Sequence, residues 1–489
     1  MISLMSSIFL SLSSGFFTGL VEGLVNPIEI HEQHFFDSIT GEPFFIKGVD
    51  YQPGGSSAIS NHQDPLSDPN ICARDIVLFQ MLGINTIRVY SISPDLNHDA
   101  CMSMLAAAGI YLFLDVNSPM NNQHLNRYEP WTTYSHEYLR HVFGIIEEFG
   151  HYNNTLGFFA GNEIINDEVS AEKSPVYVKA VVNDMKQYIK ANAPRKIPVG
   201  YSAADDLRYR IPLSKYLECE NEDMPDSSID FYGVNSYQWC GRQTFQTSGY
   251  DQLVEAYLDY TKPVFFSEFG CNQVSPRSFE EVESLHSKDM VNTFSGGLVY
   301  EFTQEANKYG LVEIDSDGDA HLLSDFKALQ GRYTTIESKE FQTVRENAIS
   351  LMAMAPQPVC EPTYENLDIT TTVPKNLAQE LIRKRVERRH GKYIKLNQSD
   401  MVSTFDVYDE NGNLFESGLG IKVINHIDST DVDDKHEFEP EDPSPPKSPS
   451  KERERNSAPK PTSSTYLVVA WLASYLFLGA YSQAAVFNI

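Results

Sequence analysis

Short runs of β-branched and aromatic residues recur along this chain, at 44–51, 84–92, 111–117, 156–163, 197–203, 231–239, 264–270 and 296–303. Between most of them lie stretches with helical periodicity, at 75–82, 101–108, 138–149 and 177–191. The first kind reads as buried strand, the second as a crossover helix that returns the chain to lay the next strand parallel to the last. Eight such strands are what a closed parallel barrel needs. The alternative is an open doubly wound sheet, which normally carries a glycine-rich phosphate turn; neither GxGxxG nor GxxxxGK[ST] occurs here. The fold class is therefore α/β, a (β/α)8 TIM barrel over 24–335 with a small C-terminal appendage over 336–425 packed on it.

Two of the runs end on an acid. Gly161-Asn162-Glu163 closes the fourth and Ser267-Glu268-Phe269-Gly270 the seventh. A single glutamate at a strand end is usually a capping or ion-pairing residue. Two, about a hundred residues apart in an eight-strand pattern, put a pair of carboxyl groups on the C-terminal face of one barrel, where such folds carry their chemistry. Burial and mutual repulsion there push two carboxyl pKa values apart, which is what the breaking of a glycosidic bond requires.

The formal net charge of -29 argues against a nucleic-acid partner, since phosphate binding needs a positive face. A neutral polysaccharide makes no such demand. Tyrosine and phenylalanine are abundant, and aromatic faces near the cleft, Trp239 among them, are candidates to stack on sugar rings.

Both ends read as targeting segments. Residues 1–23 are apolar and serine-rich with small residues at the end, a signal peptide, although no Lys or Arg precedes the apolar run. At the other end Asn456-Ser457-Ala458 supplies small residues at an attachment site on Asn456, followed by a polar spacer and an uncharged apolar tail. That order marks a glycosylphosphatidylinositol (GPI) anchor, with 457–489 removed as a propeptide. A membrane-spanning helix is the alternative on length, but no basic residue follows the tail. Residues 426–456, rich in Asp, Glu, Lys, Pro and Ser, read as a disordered linker. Within the appendage, 406–415 reads as two short strands about an Asn-Gly turn, and the basic run 383–390 as a solvated helix face.

Six cysteines permit fifteen pairings. Cys240 and Cys271 follow the sixth and seventh strands at one end of the barrel, Cys72 and Cys101 flank the first helix and second strand, and Cys219 is left for Cys360. No CxxC or HExxH spacing occurs, so neither a metal nor another cofactor is expected. The 315–319 segment resembles a calcium loop but lacks the distal glutamate and reads as a turn. Asn153 and Asn397 stand in N-x-[ST] sequons and are candidate glycosylation sites.

Several segments together resemble the fungal cell-wall β-1,3-glucanosyltransferases. They are Phe45-Ile-Lys-Gly-Val-Asp-Tyr-Gln-Pro-Gly-Gly55, Asn85-Thr-Ile-Arg-Val-Tyr90, Leu114-Asp-Val-Asn-Ser-Pro119, Gly161-Asn-Glu163, Pro198-Val-Gly-Tyr-Ser-Ala-Ala-Asp205, Tyr232-Gly-Val-Asn-Ser-Tyr237 and Phe266-Ser-Glu-Phe-Gly270. The resemblance implies a retaining enzyme that cleaves one β-1,3-glucan chain and joins the new reducing end to the non-reducing end of another. It implies Glu163 as acid/base, Glu268 as nucleophile, and Tyr90, Asn162, Asp205, Tyr237 and Tyr300 as substrate-binding residues. It further implies the disulfide pairing above, donor and acceptor glucan chains as partners, a monomer, and a GPI-anchored place at the outer leaflet of the plasma membrane or in the cell wall. No cysteine follows Cys360, so the chain resembles the shorter subfamily that lacks a cysteine-rich carbohydrate-binding module. An endo-β-1,3-glucanase would use the same two glutamates, and a non-catalytic surface glucan-binding protein is the other alternative.

Overall fold

The structure, a computed structural model, describes residues 25–425 apart from 61, 222–223, 337–340, 342–343, 345–357, 375–376 and 416–418. The signal segment, the linker, Asn456 and the anchor propeptide lie outside the described residues.

Eight strands close into a barrel: β1 (Ile46–Asp50), β2 (Thr86–Val89), β3 (Tyr111–Asp115), β4 (Thr155–Asn162), β5 (Val199–Ala203), β6 (Phe231–Ser236), β7 (Val264–Phe269) and β8 (Phe294–Val299). Each pairs in parallel with its sequence neighbours, and β8 with β1. The connecting helices are α1 (Pro69–Leu82), α2 (Asp99–Ala107), α3 (His136–Phe149), α4 (Pro175–Asn192), α5 (Leu207–Glu218), α6 (Tyr250–Tyr257) and α7 (Glu281–Leu285), with α8 (Ser324–Thr335) after β8. Helix α1 begins six residues before the periodicity shows, because Asp68 caps it, accepting from the backbone N–H groups of Asn70 and Ile71, and Pro69 follows at the first turn.

The first strand differs from expectation. Phe44 belongs to a small antiparallel sheet made by Ile28–His31, His34–Asp37 and Pro43–Phe44, and the barrel begins only at Ile46. Phe35 of that sheet is buried against Phe113, Phe231 and Phe265, with ring centroids 6.0–6.3 Å apart. These rings come from β3, β6 and β7, and with Phe159 of β4 they fill the barrel interior. One run of apolar letters thus serves two sheets.

After α8 the chain returns as a strap. Cys360 is bonded to Cys219 at the end of α5, the Gln379–Lys384 helix lies against α4, and Tyr393 is buried beside Tyr152. Val407–Tyr408 then pairs in parallel with Ala320–Leu322, and Tyr408 bridges Leu414 across a turn at Gly412, where φ is +78°. The basic run is not a solvated helix face. Its helix stops at Lys384, and beyond it Arg385 donates to Glu147, Arg389 to Asp99 and Glu148, while Arg388 pairs with Asp95 and His390 with Glu147. Glu147 and Glu148 are buried, and a buried carboxylate persists only with a counter-ion or hydrogen bonds. The run is basic because the barrel wall beneath it is acidic.

Candidate active site

The C-terminal ends of β2, β3, β4, β6 and β7 bring a charged cluster together on one face. Glu268, within β7, is buried. Its Oε1 accepts from the Tyr90 hydroxyl at 2.8 Å and its Oε2 from the Tyr237 hydroxyl at 2.7 Å, and Arg88 Nη1 lies 3.4 Å from Oε1. Glu163 is the first residue after β4, with φ at +47°. That left-handed conformation is unusual for a residue bearing a side chain and occurs mostly where the surroundings enforce it. Register shifts interrupt the ladder beside each acid, between Phe159 and Asn162 on β4 and between Phe266 and Glu268 on β7. Such irregularities re-aim side chains at a barrel rim.

Arg88 organises the floor. It is fully buried, with Nε and Nη2 donating to Asp115 at 2.8 and 3.2 Å, Nη1 donating to the Ser267 carbonyl at 3.1 Å, and its guanidinium lying 4.3 Å from the Tyr90 ring centroid and 4.4 Å from that of Phe159. Asp50, also fully buried, has neither carboxylate oxygen hydrogen-bonded, and burial together with Glu268, Glu301 and Asp115 holds its carboxyl well above the usual range. Burial and then the charge of Glu163 push Glu268 up to about 7, against the pull of Arg88 and the two phenols. Burial and the nearby acids raise Tyr90 and Tyr237 well above an ordinary phenol, so both are donors.

Asn235 holds the other acid. Its Oδ1 accepts from Ser202 and Ser267 at 3.1 and 2.8 Å, so the amide nitrogen must face the cleft, where it donates to Glu163 at 2.7 Å and lies 3.4 Å from Asn162 Oδ1. Two serines therefore set the orientation of one amide, and that amide sets one carboxylate.

Of the other residues singled out from sequence, Asp205 is committed to its neighbours, accepting from the Tyr237 backbone N–H at 3.0 Å and from Arg210 at 3.0 Å. Tyr300 stands edge-on to Tyr90 and Tyr237, but its hydroxyl accepts from Asn307 and does not reach Glu268. Trp239 is buried against Tyr250, a packing residue and not a sugar platform. Among the described residues the exposed aromatic rings are Tyr128 and Trp131, 47% and 52% accessible, in the connection from β3 to α3. Cys240–Cys271 ties the loop after Tyr237 to the loop after Glu268, and Cys72–Cys101 joins α1 to α2. Asn397 is exposed and Asn153 half-buried.

Sequence reasoning passed over Arg88, Asp115 and Asn235. Each lies inside a strand run, where a charged or amide residue is costly unless it has partners, and that cost was the available signal.

Comparison with known proteins bears on the whole arrangement. A family model described as "Glucanosyltransferase" matches residues 18–337. The 1,3-beta-glucanosyltransferase GAS4 of Saccharomyces cerevisiae is 56% identical over 90% of this chain and 92% of its own, and gel2 of Aspergillus fumigatus, of the same description, is 45% identical over 82% and 83%. Among solved structures, Saccharomyces cerevisiae Gas2p in complex with laminaritetraose and laminaripentaose is 42% identical with a TM-score of 0.59, covering 64% of this chain and 68% of that one. The match runs through every strand of the barrel and both acid-bearing ends, and one relative is alike across nine-tenths of the chain: the protein belongs to the glucanosyltransferase family of glycoside hydrolases.

Proposed function

We propose that this chain is a retaining β-1,3-glucanosyltransferase, with Glu268 as nucleophile and Glu163 as acid/base. The observation that carries the assignment of roles is the asymmetry of the two acids: Glu268 receives two phenolic hydrogen bonds and faces a guanidinium, while Glu163 receives one amide. Donors converging on both oxygens suit a carboxylate that must be ionised to attack, whereas a single neutral amide leaves Glu163 an oxygen with which to give and recover a proton. Glu163 protonates the departing glycosidic oxygen as Glu268 attacks the anomeric carbon, which forms a glycosyl-enzyme ester and releases the reducing-end fragment. Glu163, now a base, takes the proton from the 3-hydroxyl at the non-reducing end of a second chain, which displaces Glu268 and remakes the β-1,3 bond. The hydroxyls of Tyr90 and Tyr237 lose a charged acceptor as the ester forms and regain it as the ester breaks. Asn162 lies beside Glu163, where the sugar at the scissile bond sits. Tyr300 and Asp205 shape the cleft wall, one through its ring and the other through the Tyr237 backbone.

Whether acceptor or water completes the second step depends on which is better placed. Oriented binding gives an acceptor hydroxyl an effective concentration far above that of a free solute, and Tyr128 and Trp131 offer stacking faces on the Glu163 side. The reading includes a cell-surface setting: a cleaved signal peptide over 1–23, a linker over 426–456 and a GPI anchor at Asn456, with a monomeric catalytic unit and glycans at Asn153 and Asn397. Incubation with one reduced β-1,3-oligosaccharide tests the function. Products longer than the starting chain are expected from the earliest times, and only shorter ones at every acceptor concentration would make this protein a glucanase.

A further inference from the structure

Three side chains of the kinds that hold metals converge where the strap meets the end of α3. Glu147 lies in the last turn of that helix, and His151 follows its cap four residues on, the spacing that brings two side chains to one face. His390 comes from the strap. One ligand atom from each, an imidazole nitrogen or a carboxylate oxygen, lies within 4.8 Å of the other two. The imidazoles stack nearly parallel, 9° apart with centroids at 4.5 Å, and His390 Nε2 stands 2.9 Å from Glu147 Oε2. His151 is the odd member. Its Nε2 is buried and has no hydrogen-bond partner, although a polar nitrogen out of water costs stability unless something takes its lone pair or its proton. Glu147 is fixed in orientation, since Tyr188 donates to Oε1 and Arg385 grips both oxygens. His390 is exposed, which gives the cluster a way in from solvent.

We propose that Glu147, His151 and His390 form a zinc site that clips the strap to the barrel. Two imidazoles and one carboxylate are a donor set that divalent zinc takes in tetrahedral geometry, whereas magnesium and calcium favour oxygen alone. Three protein ligands leave a fourth position, which water fills on the exposed side of His390. Bonds of about 2.1 Å place tetrahedral ligand atoms about 3.4 Å apart, so the cluster has only to contract slightly. The proton between His390 and Glu147 holds the place of the ion: on binding, His390 turns a lone pair to the metal and keeps its remaining proton on Nδ1. Arg385 does not forbid a cation, because Arg389 alone answers two acids, Asp99 and Glu148, and the patch is not over-neutralised. Tyr188 and Arg385 orient Glu147 as outer partners orient a metal-bound carboxylate. The absence of CxxC and HExxH does not reach a site of this kind, since its third ligand comes from a distant part of the chain. The cluster lies ahead of β4, at the end of that strand away from Glu163, on the barrel face that serves stability and not chemistry. Zinc there would link docking of the strap to metal concentration.

The test titrates zinc chloride into the chelator-treated protein by calorimetry and follows the denaturant midpoint with and without the ion, for the wild type, His151→Gln and His390→Gln. One zinc per chain and a midpoint that rises with zinc are expected for the wild type. Each variant should bind at least about tenfold more weakly, the least that losing even an outer partner of a metal costs, and should lose the rise. His151→Gln is the cleaner of the two: it removes a nitrogen that bonds to nothing in the protein, and its metal-free midpoint should stay near that of the wild type. Cobalt(II) in place of zinc gives a readout on the unaltered chain, where the strong visible absorption of a tetrahedral ion is expected and should fade as zinc is added. Zinc that binds both variants as tightly as the wild type is held elsewhere on the surface and overturns the proposal. So does a cobalt spectrum of the weak octahedral kind, or a wild-type midpoint that zinc leaves unchanged.

Discussion

Under the strap, acids and bases are matched: Arg385 grips Glu147, Arg389 spans Asp99 and Glu148, Arg388 meets Asp95, and His98 lies between Asp64 and Glu148. In the cleft they are not. Asp115, Glu268 and the unpartnered Asp50 all turn on Arg88, with Glu163 and Glu301 close enough to raise their neighbours. A matched network has nothing left to react with, and its loss is felt as stability. An unmatched one pushes its carboxyls above their ordinary range while Arg88 and the two phenols pull Glu268 back towards the ionised form, and that poise is chemical capacity. Burial is common to both regions, so the difference lies in how charge is balanced.

The sharpest way to break this contrast is to remove an acid from each region. Glu163→Gln and Glu268→Gln keep the shape of the side chain but lose the proton carrier or the nucleophile, and turnover of a β-1,3-oligosaccharide should fall roughly a thousandfold or more. Near-normal rates in either variant would remove that residue from the mechanism. In the strap, Arg389→Met leaves Asp99 and Glu148 short of a counter-ion. Because Arg389 is partly exposed, the cost should be about 2 kcal/mol, below the usual figure for a buried pair, read as a lower denaturant midpoint with unchanged activity of the folded protein. An activity loss without a stability loss would mean that the strap network belongs to the catalytic machinery.

Within the cleft, Tyr90→Phe and Tyr237→Phe each delete a hydrogen bond to a carboxylate and should lower kcat about tenfold. Tyr300→Phe should cost less, since its hydroxyl is engaged by Asn307 and Glu301 and not by Glu268. Equal losses at all three positions would show that the rings matter more than the hydroxyls. The smallest effect is on pH dependence. Glu268 is raised from the ordinary glutamate value to about 7 by burial and by Glu163, so the folded protein holds that proton more tightly than the unfolded chain. The resulting stability is fully present below the unfolded value and is lost as pH rises through about 7. Glu268→Gln cannot ionise and escapes that loss. It should melt above the wild type at about pH 8, with the gap closing by about pH 5; a variant that melts lower at the higher pH would show that Arg88 and the phenols outweigh burial.

The barrel was legible because its strands are local and its acids fall where strands end. Glu163 and Glu268 could be placed from periodicity alone. Phe44 could not be assigned to the right sheet, since a run of apolar letters does not say where one sheet stops and the next begins. Trp239 looked like a platform because a tryptophan just beyond a barrel strand has that role or a packing role with the same letters around it. The strap was the least legible part. Arg385 and Arg389 read as a solvated face since their partners stand 238 and 290 residues away in the chain, beyond the reach of any periodicity.

That separation has a consequence for descent. The family model stops at residue 337, yet a gene shortened to that point would leave Glu147, Glu148 and Asp99 without the arginines that answer them. Losing an arginine alone exposes an acid, and losing an acid alone strands an arginine, so neither partner drifts freely. Barrel and strap are thus held to one another by charge, and the shortest chain that keeps these acids answered is set by a counter-ion and not by the last strand.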